Sequence, residues 1–174
     1  AYMACRDLGV SEEFQISNNS DGSPIWPSGF VGSITHSHNF ASAIVAKKDN
    51  VLSLGIDSEK IMDDSIIADI RPIYLPDEEK LINYQEQNHG KERQVMYTLI
   101  FSAKESIYKC LNPIVKQFFD YHDVVIDDID FSKKTFHATL LIDLSNDFTK
   151  GHTITGTFNF DENYVHTKVI LRKT

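Results

Sequence analysis

Cysteine is scarce in this 174-residue chain: only Cys5 and Cys110 occur, and neither a CxxC nor any metal-type spacing involves them. That usage argues against a disulfide framework and fits a reducing compartment, with both thiols read as small buried hydrophobes. Basic residues are outnumbered, 17 Lys and Arg against 25 Asp and Glu, for a net charge of −8, and no Lys/Arg run exceeds a pair. Nucleic-acid surfaces need a concentrated basic footprint, so that class of partner is argued against and any anion must be held locally. No apolar run approaches the roughly 18 residues of a membrane span, and the start of the chain lacks the charged and apolar regions of a signal peptide. A soluble, cytoplasmic protein is the expectation.

What is present suffices for a core. A chain of 174 residues with 41% hydrophobic content makes one sizeable domain or two small lobes, burying on the order of 70% of the unfolded surface. It needs no metal or disulfide to fold. Residues 1–10 read as a helix burying Tyr2, Met3, Cys5 and Leu8, and the chain enters this pattern with no N-cap residue. Residues 11–24 are polar and form a loop, with room for a short extended piece at 14–16. Between Pro24 and His36, two prolines and two glycines fix an irregular backbone ahead of a strand. Residues 33–36 should pair with 41–47 across a turn at 37–40, which leaves Thr35 and His36 at the mouth of a hairpin. A hydroxyl and an imidazole there suit a phosphate. A purely structural His36 is the alternative, and His36-x-His38 lacks the further ligands zinc needs.

Residues 51–59 begin as a buried strand and end in acids, with Asp57 and Glu59 on the same side. Such a pair repels itself unless a cation intervenes; the alternative is a solvated strand end whose acids never meet. Three helices follow: one capped by Asp63 or Asp64 and ended before Pro72, one from Pro76 closed at Asn88-His89-Gly90, and a long one from about 92 to 111 terminated by Asn112-Pro113. In the last, Val95, Leu99, Ile100, Ala103, Ile107 and Leu111 form a core stripe, with Lys104, Glu105 and Lys109 at its edge. Glu105 and Lys109 share a face, an arrangement that serves a metal and a phosphate or an exposed ion pair contributing roughly 0.3 kcal/mol. A helical turn carrying Phe118 and Phe119 is expected over 114–121, then strands at 124–130, 135–144, 153–161 and 165–173. Both halves end in a hairpin, as variants of one unit would, and that alignment sets Arg6-Asp7 in the place of Lys104-Glu105.

Three motifs stand in order: Gly22-x-Pro24-x-Trp26-Pro27-x-Gly29-x-x-Gly32-Ser33-Ile34-Thr35-His36, then Gly55-Ile56-Asp57-x-Glu59, then Phe101-Ser102-x-Lys104-Glu105-Ser106-x-x-Lys109. With them the chain resembles the 4'-phosphopantetheinyl transferases, of the enterobactin synthetase component D (surfactin-type) branch. The resemblance implies an α+β fold of two similar lobes with pseudo-twofold symmetry, each a small antiparallel sheet packed on a helix, with coenzyme A in the cleft between them. Lobe boundaries at 1–50 and 51–174 are expected, the first lobe lacking its beginning, in one structural unit. By resemblance Asp57, Glu59 and Glu105 hold magnesium, Thr35, His36, Lys104 and Lys109 grip the coenzyme, and Glu105 and Lys109 serve catalysis. The implied reaction moves 4'-phosphopantetheine from coenzyme A to a serine of an apo carrier protein, acyl or peptidyl, releasing adenosine 3',5'-bisphosphate. Siderophore or other secondary metabolism is the implied setting and a monomer the expected state. Two departures bear on the coenzyme grip: the family's arginine-bearing segment before the first helix is absent, and the region around Gly22 reads Asp21-Gly22-Ser23. A magnesium-dependent phosphohydrolase or a catalytically silent coenzyme-binding module would use the same groups.

Overall fold

The computed structural model describes residues 1–10, 15–20 and 22–173; Phe14 of the expected extended piece and Asp21 lie outside them. The architecture is α+β, with two antiparallel sheets. A short helix α1 (Tyr2–Asp7) precedes the hairpin β1 (Phe30–Ser37) and β2 (Phe40–Lys47), which forms a two-stranded sheet. Strand β3 (Val51–Lys60) opens the larger part, followed by α2 (Asp64–Ile70), a 3-10 turn (Arg71–Ile73), α3 (Pro76–His89) and α4 (Arg93–Val115). After a second 3-10 turn (Tyr121–Asp123) come β4 (Val124–Asp130), β5 (Thr135–Leu140), β6 (Thr153–Phe160) and β7 (Tyr164–Arg172), and the five strands lie in the order β3-β7-β6-β5-β4.

Local signals placed most of these elements. Asp63 caps α2 by accepting from the Ser65 and Ile66 amides, as a short carboxylate at an N-cap does. Gly90 ends α3 in the left-handed region at φ 59°, the usual C-cap geometry. Helix α4 departs from the expected amphipathic pattern. Besides the stripe, Met96, Tyr97, Thr98, Ser102, Lys104, Ser106 and Cys110 are also buried, because α4 crosses β3 and β7 while α2, α3 and β4 close around its other sides. The expected stop at Asn112-Pro113 is corrected: α4 continues through Pro113 to Val115. Proline removes a single amide bond, in the last turn, and there Ile114 and Val115 gain contact with the core. Strand β5 is likewise shorter than expected. It stops at Leu140, and the loop beyond turns inward to bury Leu144 and Phe148.

Two close approaches set the positions of the functional strands. A Cβ at Gly55 would fall 2.0 Å from the Ser106 carbonyl oxygen and 2.6 Å from the Cys110 nitrogen, so only glycine lets β3 lie directly on α4. At Gly32 the space a Cβ would fill is taken by the Trp26 ring, 2.5 Å away, which ties the irregular proline-rich segment to β1.

The hairpin meets β3 through side chains instead of a backbone ladder. The Ser33 hydroxyl accepts from the Ile56 amide at 3.1 Å, Thr35 from the Ser58 amide at 3.0 Å and Ser37 from the Lys60 amide at 3.4 Å. Alternate residues of β1 thus satisfy alternate amides along the free edge of β3. At the hairpin tip, Phe40 packs on Tyr164 and His166 of β7, with ring centroids 5.6 and 5.1 Å apart.

Candidate active site

The period-two geometry of β3 aims Asp57 and Glu59 toward the same side, and α4 brings Ser102, Glu105 and Lys109 to meet them. Asp57 is 2% exposed and fully engaged. Its Oδ1 accepts from Lys109 Nζ at 2.6 Å and from the Thr35 hydroxyl at 3.2 Å, while Oδ2 accepts from the Ser102 hydroxyl at 2.8 Å. Ser102 is itself braced by Thr167 of β7, hydroxyl to hydroxyl at 2.9 Å. A carboxylate removed from water needs such compensation.

Glu59 is half-buried, and its Oε2 accepts from the Ser37 hydroxyl at 3.0 Å. Burial pushes its carboxyl above the usual range, and the Asp57 charge adds to that rise; the Ser37 bond and Lys109 oppose it, and Glu105 adds a further repulsion. Glu59 therefore feels the fields of the other two acids. Glu105 Oε1 accepts from the Tyr121 phenol.

Four carboxyl and ammonium groups expected at the site thus gather: Asp57, Glu59, Glu105 and Lys109. Thr35 joins them from beneath, buried at the seam with its hydroxyl committed to Asp57 and the Ser58 amide. His36 is exposed on the opposite face of β1 from Thr35. Lys104 does not meet the cluster. Its ammonium is 2% exposed, 2.8 Å from Glu78 Oε2, and donates to the Tyr121 carbonyl at 2.6 Å; burial pushes its pKa down and Glu78 pulls against that. In place of a cation facing the cluster, Lys104 offers an ammonium paired with Glu78 of α3. Arg6, aligned earlier with Lys104, lies over the Tyr2 ring at 5.9 Å.

The sequence patterns assign no role to Ser37, Ser102, Thr167, Tyr121 or Glu78, although Ser102 stands in the third motif. Ser37 was findable from the alternation Ser33-x-Thr35-x-Ser37 in a strand. Glu78 lies in Pro76-Asp77-Glu78-Glu79, which reads as an ordinary acidic helix start, and nothing local marks Tyr121 or Thr167.

Three carboxylates without sulfur or imidazole suit a hard cation such as magnesium in their chemistry. As they stand, Asp57 is turned onto Lys109, Glu59 onto Ser37 and Glu105 onto Tyr121, and among the described residues no three His, Cys, Asp or Glu side chains enclose a metal position. Beside Glu105 opens a pocket of about 190 Å³ whose walls are mostly apolar, with Tyr108, Phe118, Phe119 and Val124 facing Lys104, Glu105, Asp120 and Tyr121. Phe118 stands 75% exposed at its rim.

Residues 53–169 match the 4'-phosphopantetheinyl transferase superfamily, and residues 1–46 match the 4'-phosphopantetheinyl transferase N-terminal domain. The chain is 29% identical over 150 residues to the 4'-phosphopantetheinyl transferase Npt of Nocardia iowensis, covering 82% of this chain and 64% of that protein. It is 34% identical over 125 residues to the 4'-phosphopantetheinyl transferase Svp of Streptomyces mobaraensis, covering 70% of this chain and 48% of the relative. With enterobactin synthase component D of Salmonella typhi it shares 32% identity over 112 residues, 64% of this chain and 44% of that one. The chain thus spans between 44% and 64% of the length of these relatives.

Proposed function

The chain belongs to the 4'-phosphopantetheinyl transferase superfamily, and from that premise we propose that it transfers the 4'-phosphopantetheine group of coenzyme A to a serine of an apo carrier protein. The observation that carries this reading is the meeting of Asp57, Glu59, Glu105 and Lys109 where β3, β1 and α4 converge. Those groups hold both signs of charge within reach of one pyrophosphate.

In the proposed step the serine oxygen attacks the phosphorus that bears the pantetheine arm. The new O–P bond forms as the bond to the bridging oxygen breaks, and adenosine 3',5'-bisphosphate leaves. Glu105 accepts the serine proton: Oε1 is held by Tyr121, which leaves Oε2 for the transfer. Lys109, 28% exposed, turns its ammonium to the leaving phosphate and neutralises it. Asp57, Glu59 and Glu105 would hold a magnesium ion, whose charge when bound offsets that of the pyrophosphate. His36 is assigned to the nucleotide's phosphate from the exposed face of β1, and the Lys104 ammonium, paired with Glu78, is left out of the phosphate-binding set. The pocket beside Glu105 is the proposed seat of the pantetheine arm, whose gem-dimethyl and methylene groups would meet Tyr108, Phe118, Phe119 and Val124 while its amides and hydroxyl keep polar partners. Carriers of siderophore or related peptide synthetases are the favoured acceptors, and a cytoplasmic monomer is the favoured form. Among the described residues no helix is long and apolar enough to cross a membrane.

The experiment is an intact-mass assay of an apo carrier panel with coenzyme A. A phosphopantetheine adduct on the carrier supports transfer, phosphate release without a carrier supports hydrolysis, and coenzyme binding without either product supports a silent module.

A further inference from the structure

Glu105 is held by a group that none of the three motifs contains. The phenol donating to its Oε1 belongs to Tyr121, on the 3-10 turn between α4 and β4. That turn is fixed to α4 at two further points. The Tyr121 ring stacks on Phe101 of α4 with centroids 5.6 Å apart and planes 21° from parallel, and the Tyr121 carbonyl accepts from Lys104 at 2.6 Å.

Lys104 is anchored in turn. Its ammonium pairs with Glu78, which is 0% exposed, and Glu78 spends its other bonding capacity on the backbone, accepting from the Leu75 amide and the Ile126 amide, each at 2.9 Å. A buried ammonium and a buried carboxylate with every oxygen used form a rigid joint linking α3, α4, β4 and the turn. Lys104 and Glu105 are adjacent on α4, so the joint fixes the turn on one side of the helix while the phenol returns to Glu105 beside it.

The chemistry assigns a purpose to this arrangement. A glutamate has three rotatable side-chain bonds, and a free carboxylate at the pocket edge would sample many orientations. A phenol donating its single proton to Oε1 selects one of them and, among the described residues, leaves Oε2 without a hydrogen-bond partner.

We propose that Tyr121 is a positioning residue for Glu105, and that the buried Lys104–Glu78 pair is the strut that holds Tyr121 in place. The first motif lysine thereby acts on the active carboxylate through Tyr121 instead of on the coenzyme. This rests on the reading of Glu105 as a metal-holding group.

The test is a double-mutant cycle read by manganese(II) binding, using electron paramagnetic resonance of the free ion with Mn2+ as the only added ligand. Wild type, Tyr121→Phe, Glu105→Ala and the double variant are compared. Tyr121→Phe keeps the ring and its stacking on Phe101, and its near-UV circular dichroism should match wild type. The expected result is Mn2+ affinity about tenfold weaker in Tyr121→Phe, the scale typical of losing a partner that orients a metal ligand, with no further weakening when Tyr121→Phe is added to Glu105→Ala. Wild-type affinity in Tyr121→Phe, with Glu105→Ala still weakened, overturns this inference alone. Equal loss from Tyr121→Phe in both backgrounds also overturns it, since Tyr121 would then act without Glu105. Equal affinity in wild type and Glu105→Ala removes the metal reading of Glu105 and this inference with it.

Discussion

Replacing Thr35 by valine isolates the hydroxyl that joins the hairpin to β3. Valine matches threonine in shape, so no cavity opens, and the change is confined to one oxygen. That oxygen now accepts from the Ser58 amide at 3.0 Å and donates to Asp57 Oδ1 at 3.2 Å. Both partners are buried. Asp57 keeps Lys109 and Ser102 after the substitution, but nothing near the Ser58 amide replaces the lost acceptor, and an orphaned buried donor costs about 1–3 kcal/mol. Taking about 2 kcal/mol, and a urea dependence of about 2 kcal/mol/M for a domain of this size, the unfolding midpoint should fall by about 1 M with its slope unchanged. Thr35→Ser keeps the oxygen and should lose about 1 kcal/mol or less. Ile34 faces the other way, 36% exposed, and Ile34→Thr should shift stability by only about 0.5 kcal/mol. A Thr35→Val midpoint indistinguishable from that of Ile34→Thr would refute the hydroxyl ladder as a structural joint.

Gly55→Ala places a methyl 2.0 Å from the Ser106 carbonyl, a contact that no rotamer relieves, and should cost about 4 kcal/mol or more in urea unfolding, with coenzyme A binding lost as β3 is pushed from α4. Lys104→Met strands the Glu78 carboxylate in the interior and should destabilise by about 3–5 kcal/mol, whereas the Lys104→Met, Glu78→Leu double variant should recover most of that loss; equal stability of the two would contradict the pairing. Acid sensitivity follows from Glu79. Burial acts to raise its pKa, but hydrogen bonds from Arg71 and Tyr97 outweigh that and hold it below the ordinary 4.5. The unfolded state then binds more protons, so the stabilisation is complete above the ordinary value and is lost as the pH falls through the folded one. Urea midpoints measured from about pH 6 down to about pH 3 should therefore drop less for Glu79→Gln than for wild type, and parallel profiles would count against it.

Strong local patterns made much of the fold legible. Strand β4 falls where alternation puts it, α2 is capped by Asp63, one of the two aspartates that the sequence offers, and Gly90 closes α3. Pro113 misled because a proline rule speaks only of the backbone, while the apolar contacts of Ile114 and Val115 come from strands far along the chain. At the site, Asp57 and Glu59 could be paired from strand periodicity and Glu105 and Lys109 from helix periodicity. Joining the two pairs required the packing of β3 on α4, which Gly55 permits but does not announce. Lys104 shows the limit most clearly. Its neighbour in sequence faces the site, yet one step along a helix turns a side chain by about 100°, and the partner that received it, Glu78, lies in a different helix.

The central claim is that Glu105 and the acids of β3 serve phosphopantetheine transfer, and intact mass spectrometry of an apo carrier protein tests it most directly. With coenzyme A and magnesium the wild-type chain should convert the carrier serine to its phosphopantetheinyl form. Chelation of the metal or Glu105→Ala should stop conversion while the circular dichroism spectrum stays native. Undiminished conversion by Glu105→Ala, or no conversion of any acyl or peptidyl carrier by the wild-type chain, would contradict the account.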